Sequence, residues 1–462
     1  MTTAVWNSYH QPTLTQLMHS LSHISAIPPA PVSSSVLAKP FTLPNGSVIR
    51  NRIAKSAMSE TLGSLNGNRP TAALEVLYAR WAGAGVGLCV TGNVMIDRRA
   101  LGEHGNVAVE DERDLDTLRR WAAAGTRNGT QLWMQINHPG KQAPKRLNRE
   151  TVSPSAIPFR PDMARFFATP RALTEAEIED LIQRYGHTAE IAHKAGFSGV
   201  QIHGAHGYLV SQFLSPHHNR RSDRWGGSAE NRRRFVLAVL AEIRRRVGTA
   251  FPVGIKLNSA DFQRGGFTEE ESLEAIRALA EAGIDLVEIS GGTYEAPAMT
   301  GTTVTRDSTR QREAYFLDFS EKLRSTISVP LMLTGGFRSH AGMSAAVASG
   351  AVDLVGLARL LAIEPEAPAH LLRGEDPEQK IKPVRTGIPI VDRSAIMEVA
   401  WYTRQLHRIG RGGQPALGES GLRAFMANLM ANGWNTLRRE RASPSGGPDP
   451  DQPVDARPRF GE

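Results

Sequence analysis

The feature that most constrains this chain is an alternation of apolar strand and amphipathic helix that can be followed eight times. Short apolar runs lie at 52–58, 86–92, 130–137, 199–203, 253–259, 286–290, 330–334 and 354–356. Helical periodicity follows each, at 72–83, 112–128, 174–195, 229–247, 268–282, 311–326, 341–349 and 359–372. Thr174-Glu-Ala-Glu177 and Thr268-Glu-Glu-Glu271 set a threonine cap before first-turn acids, and Gly196, Gly283 and Gly350 close helices just ahead of the next strand. Eight such units in about 330 residues predict an α/β protein of the (β/α)8 TIM barrel type. Ahead of them, Lys39 to Ile49 alternates around Asn45-Gly46, which predicts an N-terminal β-hairpin. The expected organisation is a disordered N-terminal extension over 1–37, a barrel over 38–375, a helical extension over 376–440 with helices at 390–408 and 422–437, and a disordered tail over 441–462.

Barrels of this kind carry their chemistry at the C-terminal ends of the strands. Polar residues and glycines gather there: Ser59 and Glu60, Gly92 and Asn93, Gln135 with Asn137 and His138, then His203, His206 and Tyr208. Lys256 and Asn258 lie in the fifth strand, Ser290 ends the sixth, Gly335-Gly336 follows the seventh, and Gly356 and Arg359 mark the eighth. Glycines after the last two strands expose backbone N–H groups to an anion, and Arg359 adds a fork of donors, so Gly335, Gly336, Gly356 and Arg359 read as a phosphate site. Lys256 and Gln135 inside apolar strands need partners, either each other or a polar ligand.

The stretch Gly199-Val-Gln-Ile-His203-Gly-Ala-His206-Gly-Tyr208 leaves three proton-bearing side chains at one strand end. The histidines could be metal ligands with His138, His217 or Asp223, ordinary buried histidines, or N–H donors that polarise a carbonyl or nitro oxygen beside a tyrosine acid. The residues alone leave these open. The loop at 211–227 carries charges that would serve a simple connector poorly, so it reads as part of a site.

A net charge of +8 raises the question of nucleic acid, but the arginines at 232–234 and 244–246 share one helical pattern, where a solvated face is the favoured reading. The single cysteine, Cys89, excludes an intramolecular disulfide and any cysteine-held cluster. No apolar run reaches the roughly 18 residues a membrane span needs, and no basic-then-apolar leader opens the chain. A cytoplasmic protein acting on small molecules is expected, without membrane or nucleic acid, and with a homo-oligomer left open.

Asn51-Arg-Ile-Ala-Lys-Ser-Ala-Met58, Gln135-Ile-Asn-His-Pro-Gly140, Gln201-Ile-His203-Gly-Ala-His206-Gly-Tyr208 and Asn219-Arg-Arg-Ser-Asp-Arg-Trp-Gly-Gly-Ser228 resemble, in order, the Old Yellow Enzyme family of NADH:flavin oxidoreductases. The resemblance implies an FMN-dependent oxidoreductase that takes hydride from NADH or NADPH and reduces electron-poor substrates, with α,β-unsaturated carbonyl compounds as the expected activated alkenes. It implies that Ala57, Met58 and Ser59 line the flavin's edge. Gly92, Gln135 and Lys256 would meet its polar side, and Gly335, Gly336, Gly356 and Arg359 its phosphate. His203 and His206 would hold the substrate oxygen, and Tyr208 would protonate the neighbouring carbon. The chain departs from the family's usual pattern at Ala57, where proline is commoner, at Ser59, where Thr or Cys is usual, and at Lys256, where Arg is commoner. The alternative reading is a flavin-binding barrel without alkene reductase activity, either another oxidoreductase or oxidase or a partner-binding module.

Overall fold

The structure is a computed structural model that describes residues 35–293, 316–388, 396–427 and 429–430. The N-terminal extension before residue 35, the tail over 441–462 and parts of the helical segments at 311–326, 390–408 and 422–437 lie outside the described residues. Strands β1 (Phe41–Thr42) and β2 (Val48–Ile49) form the antiparallel hairpin. Its turn places Gly46 at φ 86°, a conformation glycine adopts without strain, while Asn45 Oδ1 accepts from the Ser47 N–H at 3.1 Å.

Eight parallel strands then close on themselves: β3 (Ile53–Lys55), β4 (Leu88–Met95), β6 (Gln131–Asn137), β9 (Gly199–Gly204), β10 (Val253–Asn258), β11 (Leu286–Ser290), β12 (Leu331–Thr334) and β13 (Leu354–Leu357). The two-residue β5 (Val107–Ala108) adds to β4 outside the ring, and β7 (Val152–Ser153) pairs with β8 (Arg171–Ala172) in a loop. The main helices are α1 (Ala72–Gly83), α2 (Leu115–Gly125), α3 (Glu175–Lys194), α4 (Leu209–Leu214), α5 (Ala229–Val247), α6 (Glu269–Glu281), α7 (Leu317–Arg324), α8 (His340–Ala348), α9 (Arg359–Ile363), α10 (Ala367–Leu372) and α11 (Ile396–Gly410). Both predicted threonine caps form full capping boxes, Thr174 with Glu177 and Thr268 with Glu271.

Strand parity divides the core. Leu132, Met134, Val200, Ile202, Ile255, Leu257, Val287 and Ile289 belong to the large cluster that packs against the helices. Their alternates Leu88, Trp133, Leu286, Met332 and Leu354 form an inner cluster with Leu43 and Ile49 of the hairpin segment, which thus plugs the N-terminal end of the barrel. The Trp133 indole fits there only because strands β9 and β10 carry glycines beside it: a Cβ at Gly199 or Gly254 would lie 2.7 Å from its ring atoms. Gly254→Ala is therefore expected to overpack the plug and cost about 1–3 kcal/mol of stability in urea denaturation, with an unshifted midpoint counting against this packing.

The arginine-rich helical face is engaged in ion pairs. Arg244 meets Asp285 at 2.6 Å, Arg245 meets Glu242 at 2.7 Å, Arg246 meets Glu190 at 2.9 Å, and Arg232 pairs with Glu271. No described helix is long and apolar enough to cross a membrane.

Candidate active site

Above the apolar plug the same parity brings polar side chains to the barrel interior. Lys256 is in register with His203 and Glu288, Gln135 with Gln201, Asn258 with Ser290, and Thr334 with Gly356. This end opens into a cavity of about 290 Å³, near the lower bound of pockets that enclose small molecules. Its walls include Ala57, Met58, Ser59, Gln135, His203, His206, Tyr208, Lys256, Gly335, Gly336, Gly356 and Arg359.

Of the residues that the family resemblance assigns to the site, Gly92 alone is not on that wall. The β4 register shifts between Val90 and Asn93, and the irregularity turns Asn93 into the cavity in its place. Gly92 lines a separate small recess, where its N–H donates to Glu60 Oε1 at 2.9 Å and an added Cβ would lie 2.0 Å from Glu60 Oε2.

Both histidine rings sit against polar neighbours. The Ala205 N–H donates to His203 Nδ1 at 3.3 Å, which leaves the ring's proton on Nε2. His206 Nε2 and Ser290 Oγ are 2.8 Å apart, and the His206 N–H donates to Asn258 Oδ1 at 3.2 Å. His206 sits at φ 61°, a left-handed conformation that is costly for a residue with a Cβ, and its loop is fastened by Gln142 Nε2 donating to the His206 carbonyl at 2.9 Å. Burial, with His206 and Lys256 nearby, drives the His203 imidazole well below the ordinary histidine range, and burial with Lys256 does the same to His206. The His203 ring centre lies 5.2 Å from that of His206 and 4.7 Å from that of Tyr208. The Tyr208 oxygen accepts from Asn93 Nδ2 at 3.3 Å, and the same amide reaches Ser59 Oγ at 3.2 Å.

Lys256 and Gln135 do not bond to each other. Lys256 Nζ meets Glu288 Oε1 at 3.0 Å, and Gln135 Nε2 donates to Gln201 Oε1 at 2.8 Å, so each has a buried partner and both still face the cavity. Burial alone would raise the Glu288 carboxyl, but Lys256 beside it and donors from Thr334 and Gln201 hold it below the usual carboxylate range. The sequence reading missed this carboxylate, since one acid in an apolar strand gives no sign of its partner.

Other motif residues are braces. Arg221 pairs with Asp223 and donates to the Pro154 carbonyl at 3.0 Å, while Asp223 Oδ1 accepts from the Trp225 N–H at 3.0 Å. Asn219 Nδ2 ties the Phe213 and Trp225 carbonyls at 2.8 Å each. The charges at 219–225 thus shape the loop after α4, which corrects their reading as part of a site. Among the described residues no group of three His, Cys, Asp or Glu is placed to hold a metal ion.

Two further contributors escaped the sequence reading. Glu103, in the loop after β4, lines the cavity with one carboxylate oxygen buried and unpartnered among the described residues. Burial and then Glu60 push its carboxyl up, against a hydrogen bond from Ser59. Helix α11 supplies Glu398, Tyr402 and Leu406 to the cavity wall, and Glu398 pairs with Arg359 at 3.0 Å.

The sequence profile of the NADH:flavin oxidoreductase / NADH oxidase family matches residues 36–376. The chain is 35% identical over 413 residues to the NADH-dependent flavin oxidoreductase iccE of Talaromyces variabilis, covering 82% of this chain and 99% of that protein. Among solved structures, 2-naphthoyl-CoA reductase with bound 2-naphthoyl-CoA is 27% identical with a TM-score of 0.67, over 74% of this chain and 52% of that one. The Old Yellow Enzyme homologue of Zymomonas mobilis shares the fold with a TM-score of 0.63 at 22% identity, over 75% of this chain and 94% of that one.

Proposed function

We propose, for a chain that belongs to the NADH:flavin oxidoreductase / NADH oxidase family and is thus an FMN-dependent enzyme with a nicotinamide electron donor, a substrate whose electron-poor C=C bond is conjugated to a carbonyl group. The neutral histidine pair beside Tyr208 carries this reading.

The residues present fit FMN. Gly335 and Gly336, at φ 115° and 95°, bring successive backbone N–H groups without side chains of their own to the cavity wall. Arg359 uses one nitrogen on Glu398 and retains other N–H donors for a phosphate. Ala57, Met58 and Leu357 offer apolar wall between that end and the Gln135 and Lys256 end, whose amide and ammonium suit a flavin's pyrimidine edge. Bound FMN would supply the two-electron store that links the nicotinamide to the substrate.

The chain's own residues do the rest. His203 Nε2–H and the His206 ring would donate to the substrate's carbonyl oxygen, where negative charge grows as the far carbon is reduced. Because both rings are held neutral by burial, they stabilise that charge as hydrogen-bond donors and need no acid to arm them. Tyr208 would deliver a proton to the carbon beside the carbonyl, its oxygen steadied by Asn93.

An absorption titration tests the reading. A yellow protein should bleach with NADH under anaerobic conditions and, when oxidised, gain a long-wavelength charge-transfer band with a para-substituted phenol, whose oxygen mimics the developing oxyanion. Bleaching without the phenol band would remove the carbonyl site and favour an oxidase acting on other acceptors.

A further inference from the structure

We propose that Glu288 is a positioning residue which, through Gln201, fixes the orientation of the Gln135 amide so that its carbonyl oxygen faces the cavity as an acceptor for an N–H group of the bound ligand. The proposal rests on the flavin reading above and concerns Gln201, two residues before His203 on β9, and its partners on the neighbouring strands.

Glu288 is the one member of the network that can only accept. An ionised carboxylate has no proton to donate, so every neighbour must turn a donor toward it. Gln201 meets Glu288 Oε2 at 2.8 Å with its NH2 group, which leaves Gln201 Oε1 on the other side. That oxygen in turn accepts from Gln135 Nε2 at 2.8 Å. Gln135 therefore spends one N–H inward, and what remains for the cavity it lines is its carbonyl oxygen and a second N–H. That pair complements the imide N–H and C=O edge of a flavin. The other carboxylate oxygen works in the same sense: Thr334 Oγ1 donates to Glu288 Oε1 at 2.7 Å, so Ser56 Oγ, 2.6 Å from Thr334 Oγ1, must be the donor of that pair. Gly356 makes room for this second arm, since a Cβ there would lie 2.0 Å from Thr334 Oγ1 and 2.4 Å from Ser56 Oγ. Lys256 completes the set at 3.0 Å.

Glu288 and Gln201 are fully buried, so no water competes for the order of the chain. Replacing the carboxylate by an amide abolishes the fixed end. A glutamine at this position could donate to Gln201, and the whole run could invert to present the Gln135 NH2 group outward.

The test is a competition for the binding site. The holoenzyme is equilibrated with excess FMN and N3-methyl-FMN in equal amounts, and the bound flavins are quantified by mass. Wild type should favour FMN, whose N3–H the Gln135 oxygen accepts. Because Glu288→Gln alone strands a buried ammonium, the double variant Glu288→Gln with Lys256→Met is used beside Gln201→Leu, which cuts the relay and keeps the ion pair. Both should lower the FMN preference by about tenfold, as expected when an oriented buried acceptor is lost. Retention of the wild-type preference in both variants would overturn the proposal. A wild-type protein that takes up neither flavin would overturn the flavin reading itself, and this proposal with it.

Discussion

Tyr208→Phe is expected to slow reduction of an activated alkene by about 10²–10⁴-fold, the range over which a positioned acid contributes, while NADH bleaches the bound flavin at the wild-type rate. The substitution removes one oxygen and leaves the ring, which is buried and stacked edge-on to His203 at 4.7 Å. Packing should therefore survive. The oxygen that is lost is one that Asn93 Nδ2 approaches at 3.3 Å, and the amide keeps its contact with Ser59. The variant should still give the phenol charge-transfer band, because the His203 and His206 donors are untouched. Full alkene turnover in this variant would mean that the proton comes from elsewhere, and the Glu103 carboxyl, which lines the same cavity and is pushed up by burial, would become the group to test.

How much of this was legible in the sequence follows from what periodicity can encode. The eight strands, the hairpin and the capping boxes depend on local pattern, and they stand within a few residues of their predicted bounds. Parity also carries Gln135, His203, Lys256 and Gly356 to the interior. It fails at Gly92, where the shift between Val90 and Asn93 resets the alternation and turns the asparagine inward. A bulge leaves no periodic trace. Glu288 was invisible for another reason: its partners Lys256, Gln201 and Thr334 come from three other strands, and only closure of the barrel brings them together. The same holds for helix α11, expected as part of a C-terminal helical extension, whose Glu398 and Tyr402 line the cavity. Conversely, the Arg221 and Asp223 charges suggested a site because sequence gives the charge and withholds the carbonyls it ties.

Acid should destabilise the protein well before its carboxylates titrate. His138 and His407 are both pulled down to about 4 by burial from an ordinary value of 6.5, and His203, His206 and His218 are lowered in the same direction and for the same cause. A histidine whose folded pKa is depressed binds its proton more readily in the unfolded chain. Its contribution to stability is therefore constant above pH 6.5 and falls as pH drops from 6.5 toward the folded value. At about pH 5, His138 and His407 should each cost about 2 kcal/mol, and two such losses are a large fraction of a typical total of roughly 5–15 kcal/mol. Glu103 and Asp261, whose carboxyls burial raises, oppose this drift. Asp97, which burial would raise but Arg99 holds down at about 2, loses its contribution only below its ordinary value of 3.8. The consequence reaches the site through His407, whose Nε2 lies 2.8 Å from the Glu60 carbonyl and 3.0 Å from Thr61 Oγ1, joining α11 to the segment that carries Met58 and Ser59. Urea midpoints measured at about pH 7.5, 6 and 5 should fall mainly between the last two, and His407→Gln should flatten that fall by about one histidine's share. A fall as steep in His407→Gln as in the wild type would mean that the His407 ring takes up its proton as readily in the folded protein as in the unfolded chain.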